Sequence, residues 1–320
     1  MKISVDAGCL CQKGYSGSKI FAQNLFKALS LYDKKNFYLL YTYCSLAQKG
    51  FGKNVIIRKI FPKIGWSKLS LSLAEFLQKK EIFLALNQAI PFYTAGKIIS
   101  FSHGLSFYFY PQLYPSSSQK MKSQLNEMIA RSRYIVVSSI KVKNELTSIY
   151  QKIEEKIKVI PYGVPFDMRS EPITKKKEKY FLYVGVDHPI KNIDFIRQAF
   201  KKFKSCNKFK DYKLILATRI SRAKLKNLYQ KATALLTASF YESFNFPVVE
   251  ALSLGCPVIG LSSAIINEFK SLVNLAESEE EFIELMIKAA KGSLKINDSR
   301  QIKKFFSWEN YVKKLVALYD

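Results

Sequence analysis

The stretch that most narrows what this chain can fold into runs Glu242-Ser-Phe-Asn-Phe-Pro-Val-Val-Glu250 and continues Ala-Leu-Ser-Leu-Gly-Cys-Pro-Val-Ile. Pro247 stands where a helix begins, since its fixed φ and missing N–H suit the first turn. Residues 248–254 have the apolar content of a packed helix. Gly255 suits the left-handed position just past a helix end, and Pro257 blocks continuation. Residues 257–261 then read as a short buried strand. Loop, short helix and buried strand in so few residues are the grammar of an α/β domain with a parallel sheet.

The same spacing has a chemical use. A helix N-terminus offers unpaired N–H groups and partial positive charge, and so can hold a phosphate. Glu242 falls in the loop and Glu250 in the first helical turns. A carboxylate at 250 can accept hydrogen bonds from a ribose diol, and one at 242 can hold or polarise a sugar. Asn245 fits a loop that needs left-handed backbone angles. The plainer alternative is that both glutamates simply complement the helix dipole.

This string resembles the signature of the retaining family 4 glycosyltransferases, whose two Rossmann-like domains form the GT-B fold. The family pattern is Glu-Gly-Phe-Gly-Leu-Pro, two apolar residues, Glu-Ala, then Gly-x-Pro-Val. Here it reads Glu242-Ser243-Phe244-Asn245-Phe246-Pro247, Glu250-Ala251 and Gly255-Cys256-Pro257-Val258, with Ser243 and Asn245 in place of the two loop glycines. The resemblance implies two doubly wound α/β domains facing a cleft, with the nucleotide-sugar donor on the second domain and the acceptor on the first. It also implies no metal and no cofactor, the nucleotide sugar being a co-substrate.

A chain of 320 residues suits two domains. With 48% hydrophobic residues, 24 Phe and 19 Tyr, it can bury sizeable cores and is not a disordered chain. It has no apolar run of about 18 residues or more, so no membrane span is expected, and residues 1–6 read as a strand, not a signal peptide. Five scattered cysteines (Cys9, Cys11, Cys44, Cys206, Cys256) read as reduced thiols, which points to the cytoplasm. Two histidines leave little for a histidine-rich metal site. The formal net charge of +26 fits an anionic membrane, nucleic acid or a phosphorylated substrate, or only compositional drift. No zinc finger, RNA-recognition motif or compact basic helix is present, so specific nucleic-acid binding is not expected. Attachment to the inner face of an anionic membrane is one reading of the charge, and compositional drift is the other.

Along the chain, a first strand at residues 2–6 leads to Gly14-Tyr-Ser-Gly17 and a helix over 18–31. A glycine loop there lies at the strand's carboxyl end, where open α/β sheets bind ligands, although it is not the dinucleotide fingerprint. Strands are expected at 36–43, 54–58, 82–86, 97–102, 134–137 and 156–160. A helix over 67–80 sets Leu69, Leu73, Phe76 and Leu77 on one side. His103-Gly104 ends a strand where the family carries His-Asp, so the resemblance places His103 beside the donor sugar. The aromatic run 107–111 reads as packing, an acceptor pocket or a membrane face. Ser138-Ser139 caps a helix in a unit that lines the family's cleft. The charged segment 169–179 reads as the core of a linker.

The second domain restarts with a strand at 180–185, ending at Gly185. The family's Arg-Lys-Asn becomes Ile190-Lys191-Asn192, which leaves Lys191 for the donor diphosphate and Arg219 or Arg222 to supply the lost charge. The chain then passes from a strand at 212–217 almost directly into a helix at 222–231, so this domain looks trimmed. The expected organisation is therefore an acceptor-side domain at 1–165, a linker at 166–179, a donor domain at 180–306, and a helix at 307–320 returning to the first domain. The resemblance assigns catalysis to His103, Glu242 and Lys191. It assigns donor binding to Glu250, Ser243, Phe244, Asn245, Phe246, Gly185 and Arg219, and cleft-loop positions to Gly14, Gly17 and Ser138. The expected activity is sugar transfer, with retention, to a glycan or lipid-linked acceptor. The alternatives are a sugar-nucleotide epimerase or hydrolase on the same fold, and a non-catalytic domain that binds membranes or partners.

Overall fold

The computed structural model describes residues 1–12, 14, 16–48, 50–169 and 176–320. They form two α/β units, one of Met1–Tyr162 with Trp308–Asp320 and one of Gly163–Ser307. Of the segment expected as a linker, 170–175 lies outside the described residues, as do Lys13, Tyr15 and Lys49.

The first unit runs β1 (Lys2–Asp6), α1 (Gly17–Tyr32), β2 (Phe37–Thr42), β3 (Val55–Lys59), α2 (Leu71–Leu77), β4 (Ile82–Ala85), β5 (Lys97–Ser102), α3 (Ser106–Phe109), α4 (Ser118–Arg131), β6 (Tyr134–Val137), α5 (Ile140–Ile149) and β7 (Ile157–Val159). Its strands pair in parallel in the order β3-β2-β1-β4-β5-β6-β7. The order reverses between β1 and β4, which makes their carboxyl ends the switch point where open sheets take ligands. β1 and β4 are buried on both faces, as central parallel strands are. Helix α1 starts where the Ser16 side chain accepts from the Lys19 N–H, and it buries Phe21, Leu25 and Leu29 at helical spacing.

The second unit contains β8 (Tyr180–Val184), α6 (Ile193–Ser205), β9 (Lys213–Ala217), α7 (Arg222–Lys231), β10 (Ala234–Thr237), α8 (Phe246–Ser253), β11 (Val258–Leu261), α9 (Asn267–Lys270), β12 (Asn274–Ala276), α10 (Glu279–Ala290) and α11 (Ser299–Phe305). The sheet is parallel in the order β12-β11-β10-β8-β9 and reverses between β8 and β10. Phe181, Phe203, Phe209 and Tyr212 stack edge and face in its core. The last helix, α12 (Trp308–Val316), packs on α1 in the first unit and buries Trp308 among Phe21, Tyr162 and Tyr311. Two doubly wound parallel sheets are the fold class expected from the sequence.

Three expectations change. Cys11 and Cys44 are joined in a disulfide, so the five cysteines are not all thiols. β1 and β2 pair with Asp6 opposite Tyr41, which brings the turn after β1 beside the turn after β2. The cysteine argument for a reducing compartment goes with it. The helix expected over 67–80 is a wide turn at Trp66–Ser70 followed by the short α2, and its apolar Leu69, Leu73, Phe76 and Leu77 face outward. In the aromatic run, Phe107 is core, packed near Leu125 and Met128, while Phe109 is exposed. No helix among the described residues is long and apolar enough to cross a membrane.

Candidate active site

The second unit's switch point gathers the loop after β8 and the loop after β10. The Phe240 N–H donates to the Ile190 carbonyl at 2.9 Å and ties the two loops together. Lys191 ends a short turn whose first N–H, that of Ile190, donates to the His188 ring. Its Nζ lies 2.7 Å from Glu242 Oε1, which also accepts from Ser239 Oγ at 2.7 Å. A mostly buried ammonium and carboxylate thus stand paired at the position where such sheets bind anions. Gly185 sits at the same edge, where a Cβ would meet Tyr183 Oη at 2.5 Å. Arg219 is exposed beyond β9 in the left-handed region (φ 53°), a strained choice for arginine.

Helix α8 opens four residues after Glu242. Asn245 holds the left-handed turn (φ 68°), and its Nδ2 donates to Thr237 Oγ1 at 3.2 Å. This is the physical reason an asparagine can replace glycine here. Pro247 lies in the first turn, and Gly255 takes φ 70° just past the helix end. Phe244 and Phe246 are buried, Phe244 against Phe269 and Phe306, and Ser243 is partly exposed. The two phenylalanines therefore anchor the loop from beneath.

Glu250 is 1% exposed and enclosed by polar partners. Arg222 Nη2 lies 2.8 Å from Oε1, at ion-pair distance but not aligned as a hydrogen bond. Tyr229 Oη donates to Oε2 at 3.0 Å. Burial pushes the Glu250 carboxyl up, and the Arg222 charge and the Tyr229 hydroxyl oppose that. Arg222 also grips Asp167 with two N–H groups, at 2.7 and 3.0 Å. Burial alone would lower the guanidinium pKa, and the two carboxylates outweigh it and raise it. Arg222 is thus the counter-ion of Glu250, held in place by α7 packing on α8.

In the first unit, polar groups line the carboxyl edge of the sheet. Asp6, at the end of β1, is buried, and its Oδ1 accepts from the Gly8 N–H at 3.0 Å and Trp66 Nε1 at 2.9 Å. Asn87 Nδ2 donates to Oδ2 at 3.3 Å. Burial pushes the Asp6 carboxyl up against these donors. His103 Nε2 lies 2.8 Å from the Leu86 carbonyl, which can only accept, so Nε2 carries the proton. Nδ1 then accepts from Tyr162 Oη at 2.8 Å. Burial holds the ring neutral by lowering its pKa. Ser138 is buried and bonded to Tyr162. Ser139, not Ser138, caps α5. Gly104 takes φ 111°, a backbone that an aspartate would adopt only with strain. Gly14 needs φ 78°, whereas Gly17 is the first residue of α1 with open space where a Cβ would lie.

The expected residues therefore fall into two groups. Lys191, Glu242, Glu250, Ser243, Asn245, Gly185 and Arg219 lie at the second unit's edge, and Gly14, Gly17, His103 and Ser138 at the first unit's. Sequence reasoning missed Ser239, Tyr229, Asp6 and Tyr162. A carboxylate closing the first strand of an α/β sheet was the available signal for Asp6. The others become neighbours only through packing. Among the described residues no cluster of three His, Cys, Asp or Glu is placed to hold a metal.

No protein-family profile matches the chain. It is 30% identical over 191 residues to the O-antigen chain mannosyltransferase RfbU of Salmonella typhimurium, which covers 52% of each chain. The chain thus spans about half the length of that curated relative. In fold it is similar to a sucrose-phosphate synthase from Thermosynechococcus elongatus, with a TM-score of 0.73 at 13% identity over 100% of this chain and 98% of that one. It is likewise similar to HepE of Anabaena in complex with UDP and glucose, with a TM-score of 0.67 at 13% identity over 99% and 98%. The chain has the two-domain fold of GT-B glycosyltransferases and, in the string that leaves β10 and builds α8, resembles their family 4.

Proposed function

We propose that this chain is a glycosyltransferase that moves a sugar from a nucleotide-sugar donor to a glycan or lipid-linked acceptor, with retention at the anomeric carbon and without a metal ion. The observation that carries the reading is the Lys191–Glu242 pair at the second unit's switch point, with Glu242 four residues before the start of α8. The likeness to a mannosyltransferase and to a structure holding UDP and glucose supports it.

In this reading the donor diphosphate takes Lys191 from Glu242 and lies against the N–H groups at the start of α8. Glu242, released, accepts from a sugar hydroxyl. The ribose hydroxyls take the place of the Tyr229 hydroxyl on Glu250, while Arg222 stays as counter-ion. The bond from the anomeric carbon to the phosphate oxygen breaks, with its electron pair going to the phosphate. An acceptor hydroxyl attacks from the same face and passes its proton to that phosphate. Lys191 stabilises the charge that develops, an effect worth about 10²–10³ in rate for one well-placed donor. The first unit takes the acceptor at the carboxyl edge of its sheet. The place of action is the inner face of an anionic membrane, where a basic chain meets lipid-linked acceptors.

The test is a panel of nucleotide sugars with mass detection of both products. Release of a nucleoside diphosphate together with a glycosylated acceptor is expected. Release without any acceptor product would make the protein a hydrolase, and no binding or turnover of any donor would refute the reading.

A further inference from the structure

Helix α2 is amphipathic in the reverse of the usual sense. Its inward face carries Leu71 and Glu75, both fully buried, with the Glu75 carboxylate accepting from Thr94 Oγ1 at 2.7 Å. Its outward face, extended by the turns before it, carries Phe61, Ile64, Leu69, Leu73, Phe76 and Leu77, whose exposures run from 55% at Leu73 to 86% at Ile64. These residues lie within one short run of chain whose turns are tied together. The Ser70 hydroxyl donates to the Pro62 carbonyl, the Leu69 N–H donates to the Gly65 carbonyl at 2.7 Å, and the Phe76 ring meets Tyr93 at 5.8 Å. So large a cluster of exposed apolar side chains on a soluble surface marks something that covers it.

The surrounding charge selects the occupant. Between residues 53 and 80 the chain has Lys53, Arg58, Lys59, Lys63, Lys68, Lys79 and Lys80, and its single acid there, Glu75, is buried. Lys59 lies over the Phe61 ring at 4.6 Å and Lys68 over Phe92 at 5.0 Å, so cations border the apolar groups directly. Glu127 offsets Lys68 but is shared with Arg131, leaving that corner positive. Two copies of such a patch would bring like charges together. Exposed apolar tips bordered by lysines suit the boundary between lipid headgroups and acyl chains, where apolar groups enter and lysines meet anionic headgroups.

We propose that the α2 face, from Phe61 to Leu77, is the surface by which this protein docks on an anionic lipid bilayer. The proposal rests on the reading that the enzyme works at a membrane and names the residues that hold it there. The test is flotation of the full chain with phosphatidylcholine vesicles, with and without phosphatidylglycerol, at low and high salt. The native chain is expected to float with phosphatidylglycerol vesicles and to be released by salt. Leu73→Ser with Phe76→Ser should partition about 100-fold more weakly, roughly tenfold for each large apolar group kept out of lipid. Ile296→Ser, an equally exposed site in the second unit, should float as the native chain does. Both variants alter exposed side chains and should keep the native melting temperature and sugar transfer to a soluble acceptor. Unchanged flotation of the double variant would overturn the α2 assignment while leaving membrane action standing. No flotation of the native chain would overturn both, with the transferase assay unaffected. A native dimer that the double variant splits would assign the face to a second copy instead.

Discussion

Arg222→Ala is the substitution whose consequences follow most directly from the structure. It removes the counter-ion of a carboxylate that is 1% exposed and leaves Glu250 with the Tyr229 hydroxyl as its donor among the described residues. Removing one partner of a buried ion pair costs about 3–5 kcal/mol, and the lost contact with half-exposed Asp167 adds little. For a unit the size of Gly163–Ser307 that corresponds to a fall of roughly 6–20 °C in its melting temperature. The pH dependence has a definite sign. Burial already holds Glu250 above the ordinary carboxylate value, and without Arg222 that push is less opposed. A carboxyl whose folded pKa lies above its unfolded one contributes stability below the unfolded value and loses it as pH rises through the folded one. The penalty of Arg222→Ala should therefore be largest near neutrality and shrink as pH falls through the raised pKa of Glu250. Arg222→Ala combined with Glu250→Gln removes the stranded charge and should recover more than half of the loss. The assay is thermal and urea unfolding across pH, with a double-mutant cycle. A penalty under about 1 kcal/mol at neutral pH, one flat with pH, or no recovery in the double variant would refute the reasoning.

Other outcomes follow from the same geometry. Lys191→Ala should lower kcat by about 10²–10³ with a smaller change in KM, measured by steady-state transfer, because the lysine acts on charge that develops in the reaction. Trp308→Ala should cost about 3–5 kcal/mol in the first unit's unfolding, since the ring is fully buried. Trp308→Phe should cost far less, because the indole N–H has no hydrogen-bond partner among the described residues. Reduction of Cys11–Cys44, which closes a loop of 33 residues, should destabilise the first unit by roughly 4 kcal/mol, seen as a lower melting temperature with reductant. Cys11→Ser with Cys44→Ser should remove that sensitivity.

The parts of this molecule legible in the sequence are those encoded locally. Asn245, Pro247 and Gly255 punctuate α8 through their own backbone preferences, so the loop, the helix and its end could be read in order. The alternation of apolar runs and turn residues was enough for two parallel sheets. What escaped depends on neighbours distant in sequence. The Cys11–Cys44 bond follows from the register of β1 on β2. The periodicity of Leu69, Leu73, Phe76 and Leu77 shows that they share a face but not which way it turns. Glu75 takes the core position instead, and an isolated glutamate in a helix pattern normally reads as solvent-facing. At the site, Lys191 and Glu242 were each read as ligand-facing and are found paired with each other. Two opposite charges at one switch point attract before any ligand arrives.

The central claim is that the second unit holds the diphosphate of a sugar donor at Lys191 and the start of α8. Calorimetric titration of the native chain, Lys191→Ala and Lys201→Ala with nucleoside diphosphates tests it most directly. The account predicts saturable binding by the native chain, at least about tenfold weaker binding by Lys191→Ala, and no change for Lys201→Ala, whose charge sits exposed on α6. Equal affinity in all three proteins, or no heat with any nucleoside diphosphate, would contradict it.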